Sequence, residues 1–514
     1  MKNYVLCTFC FLVLTFQTKA QRNKQPNIIF ILADDMSYDA MGFMDRYNLK
    51  TPNIDKLAKQ GVRFTKNYNT TAICMASRAQ LMTGLYEFST GTNFLHGDLS
   101  YNTWKNSYSQ VLRNNGYYLG FEGKFGFKVQ SPDGSKGDAD IVQRSFDWWS
   151  GWMGQGSYAM EKNKEALAYK EKYGDKKEHT THALGLMGED FIEKAKASGK
   201  PFCLSVSYKA PHTPYWLDTR YDKIYKDQKF PKPVTFGKGN LLPAQAKSGR
   251  PFKKGKSWIK NYDNSMYKYH TMMYAMDQSI GMILNKLEKE GLSDNTIVIF
   301  TSDNGHFNGS KAMGGKLYAY EEGALAPTII FDPRRKSEKK FDTHNALSGN
   351  IDIASTIIEY AIIKEVSKRH GKSLKPIMDG KANKVHESLM LINVWGLSSS
   401  QSLGVVTADF KYIHWFYGLN EFTRQEELFN VTKDIFEEHN LSKKEEYIGS
   451  LISMRNLYDD WLGLWENEVV KDAGYEKYIR LADRKKEFNS NSISDIAKMY
   501  LEKRKKIKKK TKVK

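Results

Sequence analysis

Seven consecutive uncharged residues, Asn27-Ile28-Ile29-Phe30-Ile31-Leu32-Ala33, run directly into Asp34-Asp35. A strand without polar alternation is covered on both faces, which is the habit of parallel sheets sandwiched between helices. Thr296 to Thr301 repeats the pattern and leads through Ser302 into Asp303-Asn304, and Pro201 to Tyr208 is a third buried run. Between these strands, Met266 to Glu290 has helical periodicity and stops at Gly291, and Ser348 to Tyr360 reads as another helix. Thr51-Pro52 opens a short helix that Thr51 can cap and Gly61 ends, before an extended piece from Val62 to Phe64. The alternation predicts an α/β fold, and no internal repeat interrupts it.

The texture changes after about residue 385. Ser388 to Val394, Leu403 to Ala408 and Phe410 to Tyr417 read as short strands joined by polar turns, followed by Glu427-Leu428-Phe429-Asn430 and Glu437 to Leu441. Residues 446–464 form a helix rich in Leu and Trp. A chain of 514 residues is long enough for more than one unit. The expected division is 1–20, 21–385, 386–465 and a helical, strongly basic tail at 466–514. The first piece reads as a secretory signal: Lys2, an apolar run from Tyr4 to Phe16, then Thr18-Lys19-Ala20. That run is too short to span a bilayer, and no other segment is apolar enough, so an exported periplasmic or secreted protein is expected.

Cys7 and Cys10 leave with the signal, with no lipobox ahead of either, so Cys74 and Cys203 remain. Cys203 sits in a buried strand pattern as a small hydrophobe, and the protein relies on its core, not on a disulfide framework. The net charge of +20 is uneven, with nine basic and no acidic residues among the last twelve. Such a run is a solvated tail, or else an attractor of polyanions. Nothing resembles a nucleic-acid motif, and export excludes that role.

Ligands of open α/β sheets gather outside the carboxyl ends of the strands. Asp34, Asp35, Asp303 and Asn304 occupy such ends, and their oxygens suit a hard cation such as calcium. No Cys/His cluster suggests zinc. One acidic doublet is ordinarily a turn or cap; two on equivalent strand ends, with Cys74 between them in sequence, point to a site. Two Gly-Lys segments, Gly123-Lys124-Phe125 and Gly315-Lys316-Leu317, supply fixed positive charge. His212 lies in Lys209-Ala210-Pro211-His212-Thr213-Pro214, and His306 follows Asn304 by two residues.

Cys74-Met75-Ala76-Ser77-Arg78, followed by Leu81-Met82-Thr83-Gly84, resembles the Cys-x-Pro-Ser-Arg motif of the type I sulfatases in the alkaline phosphatase-like superfamily. The resemblance runs in order from about Pro26 to Leu441. It includes Gly116-Tyr117, Tyr320-Glu321-Glu322-Gly323, and a Lys411-Tyr412-Ile413 segment ahead of the Glu-Leu-Phe-Asn and Glu-x-x-Asn-Leu pieces. It implies a central mixed β-sheet flanked by helices, a catalytic domain over 21–385, and a smaller C-terminal α+β subdomain carrying an antiparallel sheet over 386–465. It also implies that Cys74 is oxidised to formylglycine by a formylglycine-generating or anaerobic sulfatase-maturating enzyme. One calcium ion would be held by Asp34, Asp35, Asp303, Asn304 and the modified Cys74. Arg78 would position the nucleophile, Lys124 and Lys316 would bind sulfate, and His212 would protonate the leaving oxygen.

Three positions depart from the family pattern: Ala76 replaces proline, Gly126 replaces the histidine of Gly-Lys-Trp-His, and Leu325 replaces an arginine. Gly126 leaves the base that releases sulfate unassigned, and Leu325 is taken as structural. The expected substrate is a sulfate ester on a carbohydrate, from algal polysaccharides such as ulvan or from glycosaminoglycans. The competing readings are a phosphodiester or phosphonate monoester hydrolase of the same superfamily and a sulfated-glycan binding protein without turnover. Trp148-Trp149 and Trp216 are either core or sugar-stacking aromatics.

Overall fold

The computed structural model describes residues 25–488, apart from 136, 138, 164–166, 168–178, 336–338, 365–366 and 420–421. The signal reading at 1–20, with Cys7 and Cys10, and the basic run from 503 to 514 lie outside the described residues.

The strands are β1 (Asn27–Asp34), β2 (Val62–Phe64), β3 (Asn67–Tyr68), β4 (Tyr118–Lys124), β5 (Trp148–Trp152), β6 (Phe202–Pro211) and β7 (Thr296–Ser302), then β8 (Ile329–Phe331), β9 (Asp342–His344) and β10 (Ser348–Gly349). Eight of them form one sheet in the order β5-β4-β6-β1-β7-β8-β2-β9, while β3 and β10 pair separately. The five strands from β5 to β7 are mutually parallel, and β8 pairs antiparallel with both neighbours. The sheet is therefore mixed, as expected.

Alternate residues of β1 enter different cores, as the twofold strand period requires. Ile29, Ile31 and Ala33 pack with helices α3 (Thr180–Ser198) and α5 (Tyr262–Lys289). Ile28, Phe30 and Leu32 pack on the other face with Leu81 and Met82 of α2 (Cys74–Thr83) and Ile353 and Ile357 of α6 (Asp352–Tyr360). Helix α1 (Pro52–Gln60) starts where predicted, yet the Thr51 hydroxyl does not cap it. That hydroxyl instead accepts from the Gly42 N–H and donates to Asp55 Oδ1 at 2.7 Å. The helix expected from Ser348 begins at Asp352, whose carboxylate accepts the Gly349 N–H at 2.8 Å.

The C-terminal strands β11 (Leu389–Asn393), β12 (Ser402–Val406), β13 (Phe410–Trp415) and β14 (Gln425–Asn430) form an antiparallel sheet in sequence order. Helix α7 (Ile448–Glu468) packs on it through Leu451, Met454, Tyr458, Leu462 and Trp465. This hydrophobic cluster also takes in Ile73, Ala76, Phe307 and Tyr318. The small sheet thus shares its core with the segments that carry Cys74 and Lys316. No helix among the described residues is long and apolar enough to cross a membrane.

Candidate active site

Four adjacent parallel strands, β4, β6, β1 and β7, end side by side, and each delivers polar groups to one pocket. Lys124 is the last residue of β4, His212 follows β6, Asp34 ends β1 with Asp35 next, and Asp303-Asn304 follow β7. The register between β1 and β6 breaks between Leu32 and Asp34, and Asp35 takes a left-handed φ of 71° that acidic residues tolerate. Cys74 starts α2, and Arg78, one turn on, points the same way. Lys316 enters from the long loop between β7 and β8.

The contacts are dense. Lys124 Nζ lies 2.5 Å from Asp34 Oδ2, and Cys74 Sγ lies 3.3 Å from Asp34 Oδ1. Lys316 Nζ bonds Asp35 Oδ1 and sits 2.6 Å from Cys74 Sγ. Arg78 Nε donates to Asp303 Oδ2 at 2.7 Å, while its Nη1 reaches the Lys124 carbonyl and Ser207 Oγ. Asn304 Nδ2 donates to Asp35 Oδ1 at 2.7 Å, and the Asp35 N–H reaches Asp303 Oδ1 at 3.3 Å. His212 Nε2 stands 3.7 Å from Asp35 Oδ2, with Nδ1 on the Thr213 carbonyl. All nine residues singled out from the sequence therefore meet.

Burial alone would push the Asp34 carboxyl up, but Lys124, His212, Lys316 and Arg78 together hold it well below its ordinary value. Asp303 goes the other way, to about 6, driven by burial and the Asp34 charge. The Cys74 thiol is pushed up to about 12 by burial, then by Asp303 and Asp34. It is therefore a protonated thiol at neutral pH, and neither a thiolate nucleophile nor a good ligand for a hard cation. Burial lowers His212 to about 4.

Two buried atoms of the pocket lack a hydrogen bond, Asn304 Oδ1 and Arg78 Nη2, the second lying 3.7 Å from Asp34 Oδ2 as an ion pair. An unpaired buried amide oxygen costs free energy. Here it stands among three carboxylates, and Asp34, Asp35, Cys74 and His212 can bring ligand atoms within 4.8 Å of one another. The donor set is hard and oxygen-rich, and it fits calcium.

The sequence reading missed two contributors. Lys209, buried within β6, has its pKa lowered to about 8 by burial, against the pull of Asp34. Gln155 Nε2 reaches Asp34 Oδ2 at 3.3 Å. The departures also acquire physical reasons. At Gly126, with φ of 93°, an added Cβ would lie 2.5 Å from Arg78 Cδ, so a side chain there collides with the arginine that spans the pocket floor. Leu325 is buried in the shared core. His306 is buried too, its ring between Trp258 and Tyr269 at 4.9 and 5.5 Å and its Nδ1 on Asn308. Trp149 stacks on Phe121 at 5.2 Å, whereas Trp216 is 54% exposed. Cys203 is a buried free thiol, as is Cys74.

A pocket of carboxylates and lysines at the carboxyl edge of such a sheet belongs to a hydrolase of anionic esters. Residues 26–363 match the sulfatase family, and residues 309–458 match the C-terminal region of N-sulphoglucosamine sulphohydrolase. The chain belongs to the sulfatase family and is a sulfuric ester hydrolase. It is 28% identical over 499 residues to an N-acetylglucosamine-6-O-sulfatase of Bacteroides thetaiotaomicron, covering 83% of this chain and 84% of that one. An ulvan-active sulfatase of Formosa agariphila is 26% identical over 432 residues, covering 82% and 78%. The fold matches that of a protein solved with its substrate D-glucosamine-2-N,6-O-disulfate, with TM-score 0.69, 24% identity and coverage of 88% and 99%. A phosphonate monoester hydrolase of Agrobacterium radiobacter shares the fold equally, with TM-score 0.69, 19% identity and coverage of 86% and 96%.

Proposed function

We propose that this protein hydrolyses sulfate esters on a carbohydrate, with formylglycine at residue 74 and one calcium ion held by Asp34, Asp35, Asp303 and Asn304. The observation that carries the reading is a buried Cys74 whose Sγ lies 2.6 Å from Lys316 Nζ and 3.3 Å from Asp34 Oδ1, in a pocket where the Asn304 amide oxygen lacks a hydrogen bond. Once present, the hydrated aldehyde supplies an oxygen nucleophile and the cation supplies Lewis acidity. The rest falls to the chain's own side chains. Lys124 and Lys316 neutralise the sulfate oxygens, and Arg78 orients residue 74 through its fixed fork of donors. The three carboxylates Asp34, Asp35 and Asp303 face the three cations Arg78, Lys124 and Lys316, so the side chains nearly balance and a bound divalent ion would tip the pocket towards an anion.

His212 holds its Nδ1 proton on the Thr213 carbonyl, which leaves Nε2 facing the pocket as a lone pair. An anionic ester beside it favours the imidazolium, and Nε2–H then donates to the leaving oxygen. The curated relatives act on N-acetylglucosamine sulfate and ulvan, which supports a glycan as substrate. The leader-like residues 1–20 support export, a maturating enzyme is required for residue 74, and residues 21–385 are assigned to catalysis with 386–465 as the smaller subdomain.

The test is mass spectrometry of the peptide containing residue 74, run beside assays with 4-nitrophenyl sulfate, a sulfated oligosaccharide and a phosphodiester. Active preparations should have lost the thiol, and sulfate esters should be the preferred substrates. Full activity with an intact Cys74 thiol would overturn the mechanism, and preference for the phosphodiester would overturn the substrate class.

A further inference from the structure

The segment from Trp216 to Lys260, between β6 and α5, carries twelve Lys or Arg residues against three Asp. It ends in helix α4 (Arg250–Lys260), which has no acidic residue in its first turn. Arg250 and Lys253 fall in that turn and Lys254 follows directly, where the helix dipole disfavours cations. Arg250 and Lys254 are also i,i+4 neighbours of like charge, a destabilising pair on an isolated helix. Neither has a hydrogen bond or ion pair with a carboxylate among the described residues, although this chain elsewhere pairs many of its surface lysines.

The helix is held against the catalytic loop. A Cβ added at Gly255 would lie 1.8 Å from the Ala312 carbonyl oxygen, and the Gly314 N–H donates to the Pro251 carbonyl at 2.9 Å. Lys254 is therefore tied to the same loop as Lys316. A Cβ added at Gly315 would lie 3.7 Å from Lys254 Cδ, so the Lys254 side chain runs along the turn that delivers Lys316 to the pocket. Arg250, one turn earlier on α4, stands on the same helix face. The track continues outward: the Arg250 guanidinium lies 5.9 Å from the centre of the Trp395 ring, and Trp395 lies 6.0 Å from Phe94, which is 43% exposed.

We propose that Lys254 and Arg250 form a second anion subsite beside the scissile sulfate, with Trp395 and Phe94 as the sugar-facing wall. The preferred substrate is then a saccharide with at least two anionic groups, a second sulfate or a carboxylate on the same or the next sugar. This rests on the sulfatase reading for the primary site, and it adds what recognises the rest of the substrate. A dianionic ligand relieves the repulsion between Arg250 and Lys254, and Arg can engage such a group with two donors while its plane lies on the indole.

The experiment is titration calorimetry on the full chain in a Cys74→Ala background, where no ester is turned over. The probes are disulfated and monosulfated disaccharides from heparin, chondroitin and carrageenan, a uronate-containing monosulfated disaccharide, and inorganic sulfate. The doubly anionic saccharide that binds best should bind at least about tenfold more tightly than its singly sulfated counterpart, the usual worth of a charge-assisted hydrogen bond. Lys254→Ala and Arg250→Ala should each shrink that gap, Lys254→Arg should keep most of it, and the Kd for inorganic sulfate should change least. The uronate and disulfated arms identify which second anion is preferred. No preference for a second charge, no measurable binding of any doubly anionic saccharide, or a gap that survives both alanine variants overturns the subsite. Turnover is measured separately with 4-nitrophenyl sulfate on the Cys74 protein; its absence would refute the sulfatase reading while the binding gap still decides the subsite.

Discussion

The molecule buries two networks of lysine and carboxylate, and they differ in completeness. The one under the C-terminal sheet is closed. Lys411 pairs with Glu321 and with Glu437 at 2.8 Å, and Lys311 meets both oxygens of Glu322 at 3.0 Å and the Phe436 carbonyl at 2.8 Å. Tyr68 donates to Glu321 at 2.8 Å, while Tyr320 and Trp415 both donate to Glu427 at 2.7 Å. No polar side-chain atom of these residues lacks a partner. The network at the strand ends is open, with Asn304 Oδ1 and Arg78 Nη2 lacking hydrogen bonds and Asp34, Asp35 and Asp303 crowded together. A closed buried network specifies a structure, whereas an open one is shaped for something that arrives later. Both flank one loop, because Lys311, Lys316, Glu321 and Glu322 lie within twelve residues of each other.

The comparison breaks most visibly through activity. Asp303→Ala removes one proposed calcium ligand and the 2.7 Å partner of Arg78. Sulfatase activity should fall by more than about 10³-fold, the upper range for losing one preorganised electrostatic group, and added calcium should restore it poorly. Denaturant stability should fall much less, because Asp34 loses a repelling neighbour and Arg78 keeps Ser207 and the Lys124 carbonyl. A stability loss as large as that of a variant in the closed network, which braces the C-terminal sheet, would erase the distinction between the two networks.

The brace itself should behave in the opposite sense. Lys411→Ala leaves Glu321 and Glu437 facing each other without their shared cation, in a buried region. Stripping one partner from a buried pair costs about 3–5 kcal/mol. Urea unfolding should show that loss, while the fraction still folded should retain kcat on 4-nitrophenyl sulfate within a few-fold. Unchanged stability would mean that the carboxylates relax to other partners.

Much of this was legible in the chain, for identifiable reasons. β1, β6 and β7 are buried on both faces, so their unbroken apolar runs mark them, and the residues just beyond them mark the site. Short β8 and polar β9 carry three residues each, too few for any period to show. Helix α2 is buried all round from Cys74 to Thr83, so it has no amphipathic stripe, and only its motif revealed it. Lys209 was invisible as a site residue because its neighbours in sequence read as an ordinary buried strand. The Lys-rich helix α4 carries no site signal in its own sequence, since its proposed role depends on a loop some sixty residues away in sequence. The collision that keeps Gly126 bare needs the Arg78 side chain in place, which no spacing rule encodes.

The smallest effect expected separates charge from proton transfer within the open network. As proposed sulfate ligands, Lys124 and Lys316 would face the sulfate in ground and transition states alike, so losing either should harm binding and rate on every substrate. His212 differs, since its proposed task is to protonate the oxygen that leaves. A sugar alkoxide is a poor leaving group and needs that proton, whereas a nitrophenolate departs readily without it. His212→Ala should therefore cost about 10²-fold more in kcat on a glycan sulfate than on 4-nitrophenyl sulfate, the usual size of a general-acid contribution. His212→Gln, which keeps a polar side chain but no acid of suitable pKa, should behave like alanine on the glycan. Equal losses on both substrates would reduce His212 to a sulfate contact. Lys209, whose pKa burial lowers to about 8, would then be the next acid to test, since His306 is enclosed between Trp258 and Tyr269.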